Sequence, residues 1–214
     1  RYRESTTATV DIDLYNFHLD VTVPGGEPER RVSFDKDVAS GTHYTIIATE
    51  VAGQLTEVIL EHPTADSSAA DQQLVVYHAA STVGTVDVYL EPAGTDLISA
   101  TRRGRLNNSE EFGPINIPVG DYEFVLTEAD NPAAVFLRST PITVTAGQAG
   151  IFSIVDATDR GDAPVAVIVS GDASFAFFDQ SLNSRVRVIN GIADRSTLDF
   201  GVDSDFSPPA FPSI

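Results

Sequence analysis

Four histidines, His18, His43, His62 and His78, are the side chains of this sequence best suited to ligate a metal or move a proton near neutral pH. Each stands alone, with no second histidine or glutamate at metal-ligand spacing, so the sequence offers no zinc site. His18 and His78 fall inside alternating apolar stretches and read as ordinary strand residues. The acidic residues gather more closely. Asp156, Asp159 and Asp162 share one loop, Asp199, Asp203 and Asp205 surround another, and Asp11, Asp13 and Asp20 line a third region. Calcium is the ion such loops suit, because it takes several oxygen ligands converging from loops. None of the three follows the EF-hand or nonapeptide pattern, so solvated turns are expected, with Asp11 and Asp13 on the outward face of a strand. Arg160-Gly161-Asp162 is a tripeptide that arises often by chance and names no partner. There is no G-x-S-x-G elbow, and the absence of Cys removes thiol nucleophiles, Cys metal sites and disulfides together. The reading is of a protein that is not an enzyme, with no catalytic residue, no metal ligand and no cofactor.

The elements that would position these groups are all strands. In 214 residues there is room for one large domain or two of about 100, each able to bury a core. Thr, Val, Ser, Asp and Ala abound, and 12 Pro with 15 Gly punctuate short apolar runs, which favours an all-β sandwich. The net charge of −18 opposes binding to nucleic acid or to an anionic membrane surface. No apolar run approaches the length of a membrane span, so no membrane insertion is expected within this segment. The sequence does not begin with Met and carries no signal-peptide pattern, which reads as a mature or excised form.

Period-2 alternation predicts strands at Thr9–Leu14, Tyr15–Val23, Arg31–Phe34, Tyr44–Val51 and Leu55–Glu61, then at Leu74–His78 and Thr85–Leu90. Further strands are expected at Ile115–Ile117, Tyr122–Thr127, Val135–Val144, Gly150–Asp156, Val165–Val169, Ser174–Phe178, Val186–Ile189 and Thr197–Val202. Thr101–Asn108, TRRGRLNN, reads as a basic loop.

One stretch comes back. VVYHAASTVGTVDVYL at Val75–Leu90 is echoed at Arg187–Val202 by RVINGIADRSTLDFGV, with a constant offset of 112 that sets Val76 on Val188, His78 on Asn190 and Asp87 on Asp199. Asp87 and Asp199 each follow a Thr in register, and each is expected to bond loop backbone within its own unit. A second match runs the other way. Tyr15–Leu19 resembles Tyr122–Leu126, Tyr44–Thr49 resembles Gly150–Asp156, and Leu55–Leu60 resembles Pro164–Val169. Residues 1–72 therefore hold the later strands of a unit, 73–183 a complete unit, and 184–214 the initial strands of a unit. The expected fold is two tandem Ig-like β-sandwich domains, the first completed by the C-terminal strands or by a neighbouring subunit.

An incomplete sandwich exposes an apolar face and unpaired edges. Three remedies stay open: the last strands fold back in cis, they enter the next molecule in trans, or the chain is one period of a longer tandem array. The residues expected to carry this self-assembly are Val186, Val188, Leu198, Phe200 and Val202. Buried fully, each contributes roughly 1.5–3 kcal/mol, or about 7–15 kcal/mol together before ordering costs. The main expectation is a structural protein whose partner is itself, assembled head to tail as a filament or tandem array; the alternative is a monomeric exported module binding carbohydrate or calcium through sandwich loops.

V-V-Y-H-A-A-S followed by T-V-D-V-Y-L, then P-V-G-D-Y-E-F and T-V-T-A-G-Q-A before an apolar strand, resembles the family catalogued as domain of unknown function 4397. The resemblance covers Leu74–Asn183 and meets the two ends as half-units. It implies an exported Ig-like repeat domain at the cell surface or in the extracellular matrix, and it transfers no catalytic residue. The family pattern's first-strand His becomes Asn190 in the echo, so no histidine chemistry follows from it.

Overall fold

The structure, a computed structural model, describes residues 9–22, 25–51, 54–64, 66, 68–157, 163–171 and 175–181. The expected strands at Val186–Ile189 and Thr197–Val202 lie outside them. Among the described residues every regular element is a strand and the fold is all-β. In chain order the strands are β1 (Leu14–Val21), β2 (Glu29–Asp37), β3 (Thr42–Val51), β4 (Gln54–Pro63), β5 (Asp71–His78), β6 (Val86–Pro92) and β7 (Gly104–Leu106). They continue as β8 (Glu111–Pro118), β9 (Gly120–Glu128), β10 (Asn131–Arg138), β11 (Ile142–Val144), β12 (Ala149–Asp156), β13 (Val165–Gly171) and β14 (Phe175–Phe177).

Two five-stranded sheets hold the main core. One runs β7-β6-β9-β10, with β11 also on β9; the other runs β14-β13-β12-β5-β8. All their pairings are antiparallel except β5 with β12, which are parallel and set Val76 opposite Phe152. Inward residues of both sheets interdigitate: Val86, Val88 and Leu90 from β6 and Phe124 and Leu126 from β9 meet Val76, Phe152, Ile154 and Val167 from the other sheet. Phe124, Phe152 and Phe177 form a triangle of edge-to-face rings with centroids 5.2–5.7 Å apart. That geometry sets positive ring edges on negative ring faces.

β5 and β9 are buried on both faces, which explains their unbroken apolar runs. Outside β9, Leu97 and Ala100 pack over Tyr89 and Val125. Outside β5 and β12, the β3–β4 hairpin lays Ile47, Val58 and Leu60 over Val75, Tyr77 and Ile151. β1 and β2 pair as a separate two-stranded sheet, as do β3 and β4.

Two strand predictions and one loop prediction are corrected. Residues 9–13 are not in a strand: β1 begins at Leu14, where Asp13 Oδ1 accepts the Leu14 amide at 2.8 Å. Asp11 and Asp13 thus precede the strand instead of lining its outward face. Part of the basic loop is a strand: β7 pairs Gly104 with Val88 and Leu106 with Val86, and Leu106 enters the core. Gly104 is required there, because a Cβ would stand 2.7 Å from the Phe112 ring. The Val135–Val144 stretch is two strands. The ladder stops at Ser139: its amide still donates to the Phe124 carbonyl at 2.9 Å, but its hydroxyl accepts the Phe124 amide at 3.0 Å, and Pro141 has no amide to continue.

Truncating Phe124 to Ala removes the fully buried member of the aromatic triangle. Chemical denaturation of Phe124→Ala is expected to show a loss of about 3–5 kcal/mol.

Candidate functional site

Among the described residues before β5 there are two hairpins, whose sequences match two hairpins of the large sandwich. β1–β2 corresponds to β9–β10, and β3–β4 corresponds to β12–β13. Phe17 and Leu19 occupy the places of Phe124 and Leu126; Ile46 occupies that of Phe152. β2 approaches β4 as β10 approaches β13.

The β4 match is displaced by one residue from the one read in the sequence. Ile46 pairs with Ile59, whereas Phe152 pairs with Val169, so Ile59 stands where Val169 does, not Leu60. Side chains alternate with period two, so this slip moves Leu60 to the opposite face. There it is buried against Val75, Tyr77 and Ile151. Tyr44, Ile46, Leu55 and Ile59 are left on the other face, the one that corresponds to a sandwich interior.

That interior face is only half covered. Tyr15, Phe17 and Leu19 on β1 and Val32 and Phe34 on β2 point one way and remain partly exposed. Phe17 stacks on Phe34 with centroids 5.6 Å apart, and Tyr15 leans on Phe17 at 6.0 Å. Tyr44, Ile46, Leu55 and Ile59 are also half-buried. Of their counterparts, Phe124, Leu126, Phe152, Val165 and Val169 are buried and Tyr122 is partly buried. Lys36 bridges the two hairpins at one end, with its ammonium on Glu61 and 5.3 Å above the Tyr44 ring. The free edges are as telling. In the large sandwich β12 is flanked by β13 and β5, and β9 by β10 and β6; β3 has only β4 and β1 only β2 among the described strands.

The residues expected to fill this gap, Val186, Val188, Leu198, Phe200 and Val202, lie outside the described residues, as do Asp159, Asp162, Asp199, Asp203, Asp205 and Arg160-Gly161-Asp162. The other candidates are spread out. His18 is exposed on β1, 3.5 Å from Asp20. His43 and His62 face each other across β3 and β4. His78 is fully buried on β5, its Nε2 2.9 Å from the Gly84 carbonyl, and burial pushes its pKa down to keep it neutral. Among the described residues no three His, Asp or Glu side chains gather as a metal site.

Asp156 acts as a loop clasp. Its carboxylate accepts the Ser81 and Thr82 amides at 3.1 and 2.9 Å and both hydroxyls at 2.8 and 2.5 Å. A cavity of about 170 Å³ opens between the large sheets near Gln72, Leu90, Ile142, Phe152, Val169 and Phe175, and no charged residue lines it. It is small beside ordinary ligand pockets.

Asp87 does bond loop backbone, accepting the Asp130 amide at 2.8 Å. The sequence reading missed its larger partners. Arg105 donates to both carboxylate oxygens at 2.8 and 3.0 Å, Arg102 adds a bond at 3.2 Å, and Arg105 also reaches Asp130. Burial alone would raise the Asp87 pKa; the bonds from Arg105, Asp130 and Arg102 outweigh it and hold the carboxyl at about 2. The signal lay in the basic run TRRGRLNN, whose alternation turns Arg105 outward beside Asp87 on the neighbouring strand.

No protein-family model matches the chain, and no curated protein matches it.

A carboxylate depressed in the folded state stabilises it above the unfolded pKa and loses that contribution as pH falls through the folded one. For Asp87 the window runs from 3.8 down to about 2. The shift corresponds to about 2 kcal/mol. Asp87→Asn is therefore expected to lower stability at neutral pH by at least that amount and to flatten the acid limb across this window, as read by urea denaturation at a series of pH values.

Proposed function

We propose that this chain is a structural protein of the cell surface or extracellular space that assembles head to tail, the end strands of one molecule completing the open half-sandwich of the next. On this reading the described strands belong to two Ig-like domains in tandem, the first one short of its opening strands. The observation that carries it is the contrast between equivalent positions: Phe124, Leu126 and Phe152 are buried, while Phe17, Leu19 and Ile46 lie half-open beside strand edges with no neighbour among the described residues. A sheet with an apolar face and a free edge is a template for another strand. Strand addition supplies ladder hydrogen bonds and pockets for alternate side chains.

Its own sequence contains the missing piece, since residues 187–202 echo the opening strands of the complete unit. A contact between different surfaces of like molecules does not close on itself and extends into fibres. The net charge of −18 fits a soluble surface and disfavours nucleic-acid partners. The resemblance to the domain of unknown function 4397 family fits an exported setting. Nothing in the role calls for a catalytic group, a cofactor or a metal.

Deletion of residues 185–214 is the direct test. Light scattering of the full chain is expected to report multimers, and of the deleted chain a single-chain mass. Multimers that survive the deletion would refute strand completion.

A further inference from the structure

The reading of strand completion rests on an echo and a gap; the large sandwich also specifies how the echo would enter. There the free edge of β12 is taken by β5 in parallel, with Leu74 opposite Gly150, Val76 opposite Phe152 and His78 opposite Ile154. The free edge of β9 is taken by β6 antiparallel, with Val86 opposite Glu128, Val88 opposite Leu126 and Leu90 opposite Phe124. Transferring both pairings through the internal repeats puts one donor strand on each hairpin.

We infer that residues 186–190 of a second copy add to β3 as a parallel strand, with Val186 opposite Tyr44 and Val188 opposite Ile46. In the same insertion residues 198–202 add to β1 as an antiparallel strand, with Leu198 opposite Val21, Phe200 opposite Leu19 and Val202 opposite Phe17. All five donor side chains then point between the hairpins. The connection between the donor strands has the length of the one joining β5 to β6, because the echo has no gap. The donor therefore crosses from one sheet to the other, as β5 and β6 do.

Side-chain sizes agree with this register. Gly150 of the complete unit becomes the bulky Tyr44, and its partner Leu74 becomes the smaller Val186. Glu128 becomes Val21, an apolar side chain 39 % exposed, and the residue brought opposite is Leu198.

The reach of the chain points to a second copy as the source. The Gln180 amide donates to the Arg138 carbonyl at 2.8 Å, which fixes residue 180 beside β10 in the β6–β9 sheet. β3 lies beyond the outer face of the other large sheet, so two sheet spacings separate them, about 20 Å. Val186 is six residues after Gln180, a span of about 20 Å when fully extended. Reaching β3 within the same chain would take the full extension of those six residues.

The chain has no Cys, so paired cysteines report the register cleanly. His18 corresponds to Val125 and Gly201 to Tyr89, which face each other across β9 and β6. Directly opposed Cα atoms in such a ladder are about 4.5–5.5 Å apart, within disulfide reach. The test is oxidation of His18→Cys/Gly201→Cys beside an off-register control, His18→Cys/Asp199→Cys, in full-length chains whose reduced size by light scattering equals that of the unsubstituted protein. The expected result is a reducible ladder of covalent multimers from the first variant and single chains from the control. A fast-migrating cross-linked single chain would overturn the second-copy source, and a ladder from the control alone would overturn the register. Absence of cross-links while multimers still depend on residues 185–214 would overturn the register and leave strand completion standing. Absence of both cross-links and multimers would overturn the two together.

Discussion

A β-sheet with one apolar face is stable only when something covers that face, and this requirement shapes the molecule from β1 to β14. In the large sandwich the cover is mutual: β6 and β9 supply one layer, β5, β12 and β13 the other, and Phe124, Phe152 and Phe177 lock the two across the middle. The parallel β5–β12 pairing joins the first strand of that unit to one near its end, so the sheet closes only when the whole stretch is folded. Without the stretch from β5 to β8, the β9–β10 and β12–β13 hairpins would each lose the strand on one edge and part of the cover of their inner faces. β1–β2 and β3–β4 are in that condition within the described residues.

The half-sandwich is nevertheless held in place from the outside. Ile47, Val58 and Leu60 bury against Val75, Tyr77 and Ile151, which covers the outer face of the parallel pair and anchors β3–β4. The register that allows this is the one-residue displacement of β4 relative to β13, which turns Leu60 outward and Ile59 inward. One hairpin thus serves two layers, an outer one that is satisfied and an inner one that is not. Lys36, set on Glu61 and over the Tyr44 ring, keeps β1–β2 facing that inner layer.

How much of this the sequence disclosed depended on whether the governing contact was periodic or singular. The apolar runs at Tyr122–Thr127, Gly150–Asp156 and Leu74–His78 marked real strands, because strands packed on both faces carry apolar side chains at successive positions. The break at Ser139 came from one hydroxyl and one imide, which no period reveals. β7 was hidden by charge: Arg105 belongs to a strand, but its pairing with the buried Asp87 is a tertiary contact across the ladder. The acidic triplets read as solvated turns; within them Asp156 instead accepts the amides and hydroxyls of Ser81 and Thr82, a contact between distant loops that spacing does not reveal. The repeat that organises the account was visible at once, whereas the face Leu60 takes depended on a register that only the paired strands could set.

Closure of the open inner layer by another molecule would give an assembly that extends without limit. Negative-stain electron microscopy of the full chain tests it most directly. Regular fibres whose axial repeat matches two domain lengths are the expected result. Uniform particles of one chain mass at every protein concentration would contradict it.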